Sequence, residues 1–271
     1  MNLSQRLAAI GCFCFLAAPS WAEPLAFSGL NEDAWRHEFT MYGFLPAQTD
    51  GTSAIAGESV PIDLKFKDAV DLLEFAVSGR YEAWKGDWGI ILDFNHLNLG
   101  AGAPAPTPIP LDAQLDVDVK QSWASFIAAY RVANTTYGAA GRRMAVDIQG
   151  GVRYNKIKQE ISLSPSPPDG PFPLGGTEDW WEPVIGARGM WEIRDDWAFI
   201  LQGDVGGFGV GDNELHYGAN LLFDWKPWES TSIKFGYRFY GIDFETDRSD
   251  GKFAYQVDQH GPIVGVTFRW Q

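Results

Sequence analysis

The sequence predicts an all-β fold: a closed antiparallel transmembrane β-barrel of about ten strands, with eight or twelve as alternatives. Three observations predict it. The chain carries 12 Trp, 9 Tyr, 18 Phe and 30 Gly in 271 residues, yet its mean hydropathy is only -0.17. Such a chain has many rings and few long apolar runs. Apolar and polar residues alternate with period two in segment after segment, as in strands whose two faces meet different surroundings. The connections are also lopsided, short and Trp-flanked at one end, long and rich in Pro and Gly at the other. A soluble sandwich alternates too, but unequal ends are the mark of an outer-membrane barrel.

Taken in order, Met1 to Ala22 reads as a secretory signal. Arg6 supplies the positive start, Leu7 to Ala18 the apolar stretch and Ser20-Trp21-Ala22 the small-x-small cleavage site. The apolar stretch runs about 12 residues, too short to span a bilayer as a helix. Both cysteines, Cys12 and Cys14, lie in this leader, so the exported chain is expected to have no disulfide framework and no thiol site. Residues 23–34 form an N-terminal segment and 35–271 the barrel. Without Arg6 the 21 basic residues become 20 against 35 acidic ones, a net charge of -15. That balance argues against a nucleic-acid partner.

The expected strands are 35–45, 75–84, 88–99, 114–132, 145–162, 180–193, 197–209, 213–225, 230–244 and 252–270. Phe75, Val77 and Tyr81 oppose Ser78, Arg80 and Glu82. Trp88, Ile90, Leu92 and Phe94 oppose Asp93 and Asn95, and Val146, Ile148, Val152 and Tyr154 oppose Asp147, Gln149 and Arg153. The later strands repeat the pattern, down to Val264, Val266, Phe268 and Trp270 opposite Thr267 and Arg269. Residues 46–74 are a surface-side or lumenal excursion, with a short helix in the 66–74 segment. If 54–65 also crosses, the count becomes twelve. Trp84-Lys-Gly-Asp-Trp88, Arg194-Asp-Asp-Trp197 and Trp225-Lys-Pro-Trp228 are the tight turns. Gly100 to Leu111, Ser164 to Thr177 and Thr246 to Gly251 are the long connections.

A bilayer explains why the apolar face can be the outer one. Unpaired backbone groups are costly in hydrocarbon, so strands span it only as a closed sheet. The inward faces then carry Arg80, Glu82, Asp93, Asp147, Arg153, Arg188, Asp204, Asp224, Arg238 and Arg269, with Asn95, Arg131, Glu192 and Lys234 beside them. Acids and bases interleave, so in a narrow barrel they should pair across the lumen and fill it. Trp84, Trp88, Trp197, Trp225, Trp228 and Trp270 sit beside tight turns or at the last strand's end, where an interfacial girdle belongs.

Three stretches carry a family resemblance: "FKDAVDLLEFAVSGRYEAWKGDWGIILDF" (66–94), "WWEPVIGARGMWEIRDDWAFILQGDVGGFGVGDNE" (180–214), and "IKFGYRFYGIDFE" (233–245) with the closing "GPIVGVTFRWQ". Nearly the whole exported chain resembles single-domain bacterial outer-membrane β-barrel proteins, akin to the small OmpA-type and OmpW-type barrels. The resemblance implies a fold and a compartment, the bacterial outer membrane, but no single activity. Its expected partners are outer-membrane lipid and lipopolysaccharide, and the barrel-assembly machinery through the final strand. Gln271, following the terminal aromatic Trp270, departs from the usual pattern of that signal.

Chemistry is sparse by comparison. Some outer-membrane barrels are hydrolases or acyltransferases, which need a base near a nucleophile or an activated water. Neither His37, His96, His216 nor His260 lies in a Ser- or Asp-containing motif of that kind, and no cluster has zinc spacing. Gly203 to Asp212 lacks the lysine and the strand-turn-helix setting of a phosphate loop. The expectation is therefore a monomeric, non-enzymatic barrel without cofactor or metal. Its lumen is polar and plugged, and its role structural or surface-interacting. A narrow channel for small or hydrophobic solutes is the alternative, and a lipid-modifying enzyme the third reading.

Overall fold

The computed structural model describes residues 34–55, 57–104, 114–164 and 174–271. The expected leader, nearly all of 23–34, and parts of the connections after residues 100 and 164 lie outside them. Twelve antiparallel strands form one sheet, and ten of them close into a ring. The strands are β1 (Arg36–Phe44), β2 (Gln48–Ile55), β3 (Glu58–Lys65), β4 (Leu73–Lys85), β5 (Trp88–Pro104), β6 (Gln114–Tyr137), β7 (Arg142–Ser164), β8 (Leu174–Arg194), β9 (Trp197–Val210), β10 (Asn213–Trp225), β11 (Thr231–Arg248) and β12 (Gly251–Trp270). Among the described residues one helix, α1 (Phe66–Leu72), lies between β3 and β4. The ring runs β1, β4 to β12 in order, and β12 returns to β1, with Phe268 opposite Phe39 and Val264 opposite Gly43.

The excursion 46–74 resolves into the hairpin β2–β3 followed by α1, so both the ten-strand ring and a twelve-strand count are present. β1 and β2 act as one long strand that kinks at Pro46. β12 pairs first with β2 and then with β1, and Leu45 and Ala47 still donate to Pro262 and His260 across the kink, at 3.0 and 2.8 Å. Gly261 makes this crossing possible, because a Cβ there would stand 2.2 Å from the Leu45 carbonyl oxygen. β3 is then an edge strand, and Pro61 and its charged Glu58, Asp63 and Lys65 suit an edge.

Call the end with the turns 86–87, 138–141, 195–196 and 226–230 the lower end. At the upper end, the Thr246–Gly251 connection is shorter than expected. Alternation continues through it, pairing Thr246 with Phe253 and Asp247 with Lys252, and only residues 249–250 turn. The β9–β10 turn is equally tight: Gly211 in it, and Gly207 and Gly209 in the end of β9 that leads to it, take φ of 63°, 88° and 72°, where glycine is unstrained.

Outside, the ring presents an apolar belt: Trp88, Phe126, Ile148, Ile185, Phe223 and Phe268 are all exposed. Along one row of partners the outer surface reads Phe94, Ala124, Tyr154 and Trp181. The next outward row up reads His96, Ser122, Lys156 and Asp179. That step from ring and methyl to charge marks the upper edge of the belt. No described helix is long and apolar enough to cross a membrane; the strands supply the belt.

Candidate functional site

The interior has two parts. The lower part is a plug of charge. Glu82 holds Arg80 and Arg188, each at 2.7 Å, and Arg188 also reaches Asp147 at 2.9 Å. Asp147 pairs with Arg131 at 2.7 Å, and Arg80 with Asp93 at 2.9 Å. Across the β1–β12 closure, Glu38 takes Lys234 and Arg269, and Arg269 reaches Asp224 at 2.7 Å. These five carboxylates and five cations balance, and Asp147 and Asp224 are fully buried. A buried pair persists only when its partners and hydrogen bonds are nearly all in place, and here Glu38, Glu82, Asp147, Arg80, Arg188 and Arg269 each hold two charged partners.

Just above the plug lies a second cluster. Arg153 pairs with Asp204 at 3.0 Å, and fully buried His216 stands 2.8 Å from Asp204 and 3.0 Å from Glu182. Glu182 also accepts from Trp180 at 3.3 Å and from Asn213, both at Oε2. Arg153 also touches His216 Nε2 and lies over the Trp123 ring, 4.8 Å from its centroid.

The upper part is apolar. On one side Ile157, Trp180, Tyr240, Ile242, Phe244, Phe253, Tyr255 and Val257 pack into a solid core, with Trp180 stacked on Phe244 at 3.9 Å. Beside it lies a cavity of about 480 Å³. Its walls come from the kinked β1–β2 strand, β3, α1 and the upper reaches of β4 to β7, β11 and β12. Leu64, Leu73, Leu97, Leu99, Val117 and Val119 are typical of them. Ser78, Asn95, Gln121, Trp123, Arg238 and Tyr240 line it towards the charged half. Tyr42 links the two parts: it lines the cavity and donates to Asp93 of the plug at 2.9 Å. In size and lining the cavity falls among small-molecule sites.

One stretch of wall is not laced. β1 and β4 pair only from Arg36↔Trp84 up to Met41↔Gly79. Above that, Tyr42, Gly43 and Phe44 pair with β12 alone, and Leu73 and Phe75 to Ser78 with β5 alone. Both flanks line the cavity, as do Phe66, Ala69, Val70 and Leu72 of α1. The helix has no fully buried residue and is held at its start by Phe66 N–H to Ala47 O at 3.0 Å.

All ten charges expected to face inward do so: Arg80, Glu82, Asp93, Asp147, Arg153, Arg188, Asp204, Asp224, Arg238 and Arg269. Nine have a charged partner; Arg238 has none among the described residues, and lies among rings instead. Of the expected girdle, Trp88, Trp228 and Trp270 are exposed on the outside and Trp197 stacks on Trp225 at 5.9 Å. Trp84 is a correction. It is buried in the lumen, donates to Glu82 at 3.0 Å and lies under Arg131, 4.6 Å from its ring centroid. Its parity explains this, because Ser78, Arg80, Glu82 and Trp84 share one face. Trp191, tilted against Phe199 with ring centroids 5.8 Å apart and covering Gly189, takes an outer position that the turn pattern did not point to.

His96 faces outward at the belt's upper edge, its Nδ1 2.7 Å from Ser122 Oγ. His216 is sealed inside. Among the described residues no group of three His, Cys, Asp or Glu is placed to hold a metal ion.

No protein-family model and no curated protein matches the chain. Solved structures similar to it include the outer-membrane protease OmpT of Escherichia coli, at 10% identity and a TM-score of 0.47, covering 89% of this chain and 100% of the other. The translocator domain of the autotransporter NalP of Neisseria meningitidis is 14% identical with a TM-score of 0.37, covering 89% and 90%. Ail of Yersinia pestis is 10% identical with a TM-score of 0.35, covering 87% and 99%. Likeness this distant does not bear on activity. The chain's own geometry, a closed ten-strand ring with an apolar belt outside and paired charges within, is the architecture of a bacterial outer-membrane β-barrel protein.

Proposed function

We propose that this barrel binds a small apolar or amphipathic molecule in its outer half, above a base that does not conduct. The observation that carries this reading is the change of interior along the axis. A cavity of about 480 Å³ with apolar walls stands directly over a plug in which five acids meet five bases. A pore would need a continuous wet path, whereas the plug fills the lumen with side chains held by one another. The apolar belt and outer tryptophans support residence in outer-membrane lipid and lipopolysaccharide as a monomer. The terminal strand, pairing along β1, supports delivery by the barrel-assembly machinery. The reading is of a binding protein, not an enzyme.

Two measurements test it together. Purified protein in a planar bilayer should give no discrete, reproducible conductance steps. The same protein in bilayer discs should bind dodecanol above the level of empty discs. Stepwise conductance, or no binding over the blank, overturns the reading.

A further inference from the structure

The cavity as a ligand site leaves the ligand's class open, and Arg238 narrows it. We propose that the cavity takes a single-chain amphiphile with an anionic head. The head rests on the Arg238 guanidinium and the chain lies along the apolar walls. This inference rests on the ligand-site reading above and goes one step past it.

Arg238 is only 9% exposed, yet no carboxylate stands within ion-pair distance of it among the described residues. Its surroundings are the rings of Tyr240, Phe44 and Trp123, with centroids 5.4, 5.5 and 5.6 Å from the guanidinium carbon. Its Nε is buried with no hydrogen-bond partner. The contrast with the other inward arginines is sharp: Arg80, Arg131, Arg153, Arg188 and Arg269 each hold a carboxylate at 3.0 Å or less. Ring faces offset part of a buried cation's charge. They cannot accept the planar fork of N–H donors that a guanidinium presents. A carboxylate or phosphate can, through two parallel hydrogen bonds.

The neighbouring groups do not supply that anion at contact: Asp204 feels the Arg238 charge but is held by Arg153 and His216. Among the lining residues Arg238 is the one cation and Asp63 the one carboxylate, and Asp63 accepts from Gln48 at 3.1 Å. The Tyr42 hydroxyl donates to Asp93 and offers Arg238 only a neutral oxygen, and Tyr240 accepts weakly from Gln121 at 3.4 Å. Away from Arg238 the walls are the aliphatic side chains of Leu64, Leu97, Leu99, Val117, Val119 and Ile161. One cation at one end of an apolar space fits a molecule with one charged end.

The unlaced wall argues for a chain in particular. The flanks Tyr42–Phe44 and Leu73–Ser78 begin where the outer surface passes from Phe94 to His96, at the edge of the belt. Backbone left unpaired there can still reach interfacial water. A tail longer than the cavity can pass between those flanks towards the leaflet.

The test uses full-length protein in phosphatidylcholine bilayer discs, with empty discs as the blank and radiolabelled dodecanoate, dodecyl phosphate and dodecanol as probes. Dodecanoate or dodecyl phosphate should bind about 10- to 100-fold more tightly than dodecanol, the range of a charged hydrogen-bonded pair. Comparing the two anions tells a carboxylate site from a phosphate site. Arg238→Met should bring the anions down to the dodecanol level and leave dodecanol unchanged, and Arg238→Lys should restore part of the preference. Heat-modifiable gel mobility checks that each variant folds. If dodecanol binds but Arg238→Met leaves anion affinity unchanged, the headgroup assignment falls and the cavity reading stands. If no probe binds, both fall.

Discussion

The lower and upper interiors are built from the same inward-facing positions of the same strands, yet they solve opposite problems. Below, charges from β1, β4 to β8, β10, β11 and β12 neutralise one another across the lumen. Above, aliphatic and aromatic residues fill one side and leave the other open. The same residue type takes a different meaning in each half. Arg188 is a structural cross-brace, bridging β4 and β7 from β8. Arg238 braces no other strand's carboxylate and faces a cavity. Whether an inward charge braces the barrel therefore depends on what stands opposite it, not on its parity.

The sharpest way to break that comparison is to remove a partner from the plug. Asp147→Ala strips the shared carboxylate from Arg131 and Arg188 and should cost about 3–5 kcal/mol, the usual penalty for orphaning a buried charge. Denaturant unfolding in lipid vesicles reads it, and a loss under about 1 kcal/mol would mean that the plug does not brace the barrel. Trp84 and Trp88 offer the next contrast, since they flank one turn and point opposite ways. Trp84→Ala should cost about 3 kcal/mol, by opening a hole beneath Arg131, and Trp88→Ala well under half of that. Equal losses would return Trp84 to the outer girdle. The smallest effect belongs to Arg238→Met, whose stability change should stay within about 0.5 kcal/mol of zero or favour the variant, because no ion pair is broken.

Much of this architecture is legible in the sequence, because a membrane barrel writes its two solvents into alternate residues. All ten ring strands can be read from alternation, and the ten inward charges follow from parity alone. Trp84 was legible by the same rule, sharing a face with Arg80 and Glu82; its place beside a tight turn pointed the other way. The β2–β3 hairpin was harder. Gln48–Ile55 and Glu58–Lys65 have weak alternation because neither faces lipid on one side and lumen on the other along its whole length. Least legible was the isolation of Arg238. Partners across a lumen, such as Arg188 with Glu82 or Lys234 with Glu38, lie 106 and 196 residues apart. Which strands meet there depends on tilt and stagger, which local sequence does not encode.

The kinked β1–β2 strand also sets a timetable. Its partner on one side is β12, and the Thr40–Thr267 hydrogen bond at the closure spans 227 residues. Contacts of that separation form late, because the intervening loop must first be closed at a cost in entropy. The neighbouring strands β4 to β12 can zip in order as hairpins. The hairpin that walls the cavity has no place to dock until β12 is laid down. The upper cavity is thus the last compartment to be assembled, and a chain stalled before closure would be a ribbon of strands that encloses no space.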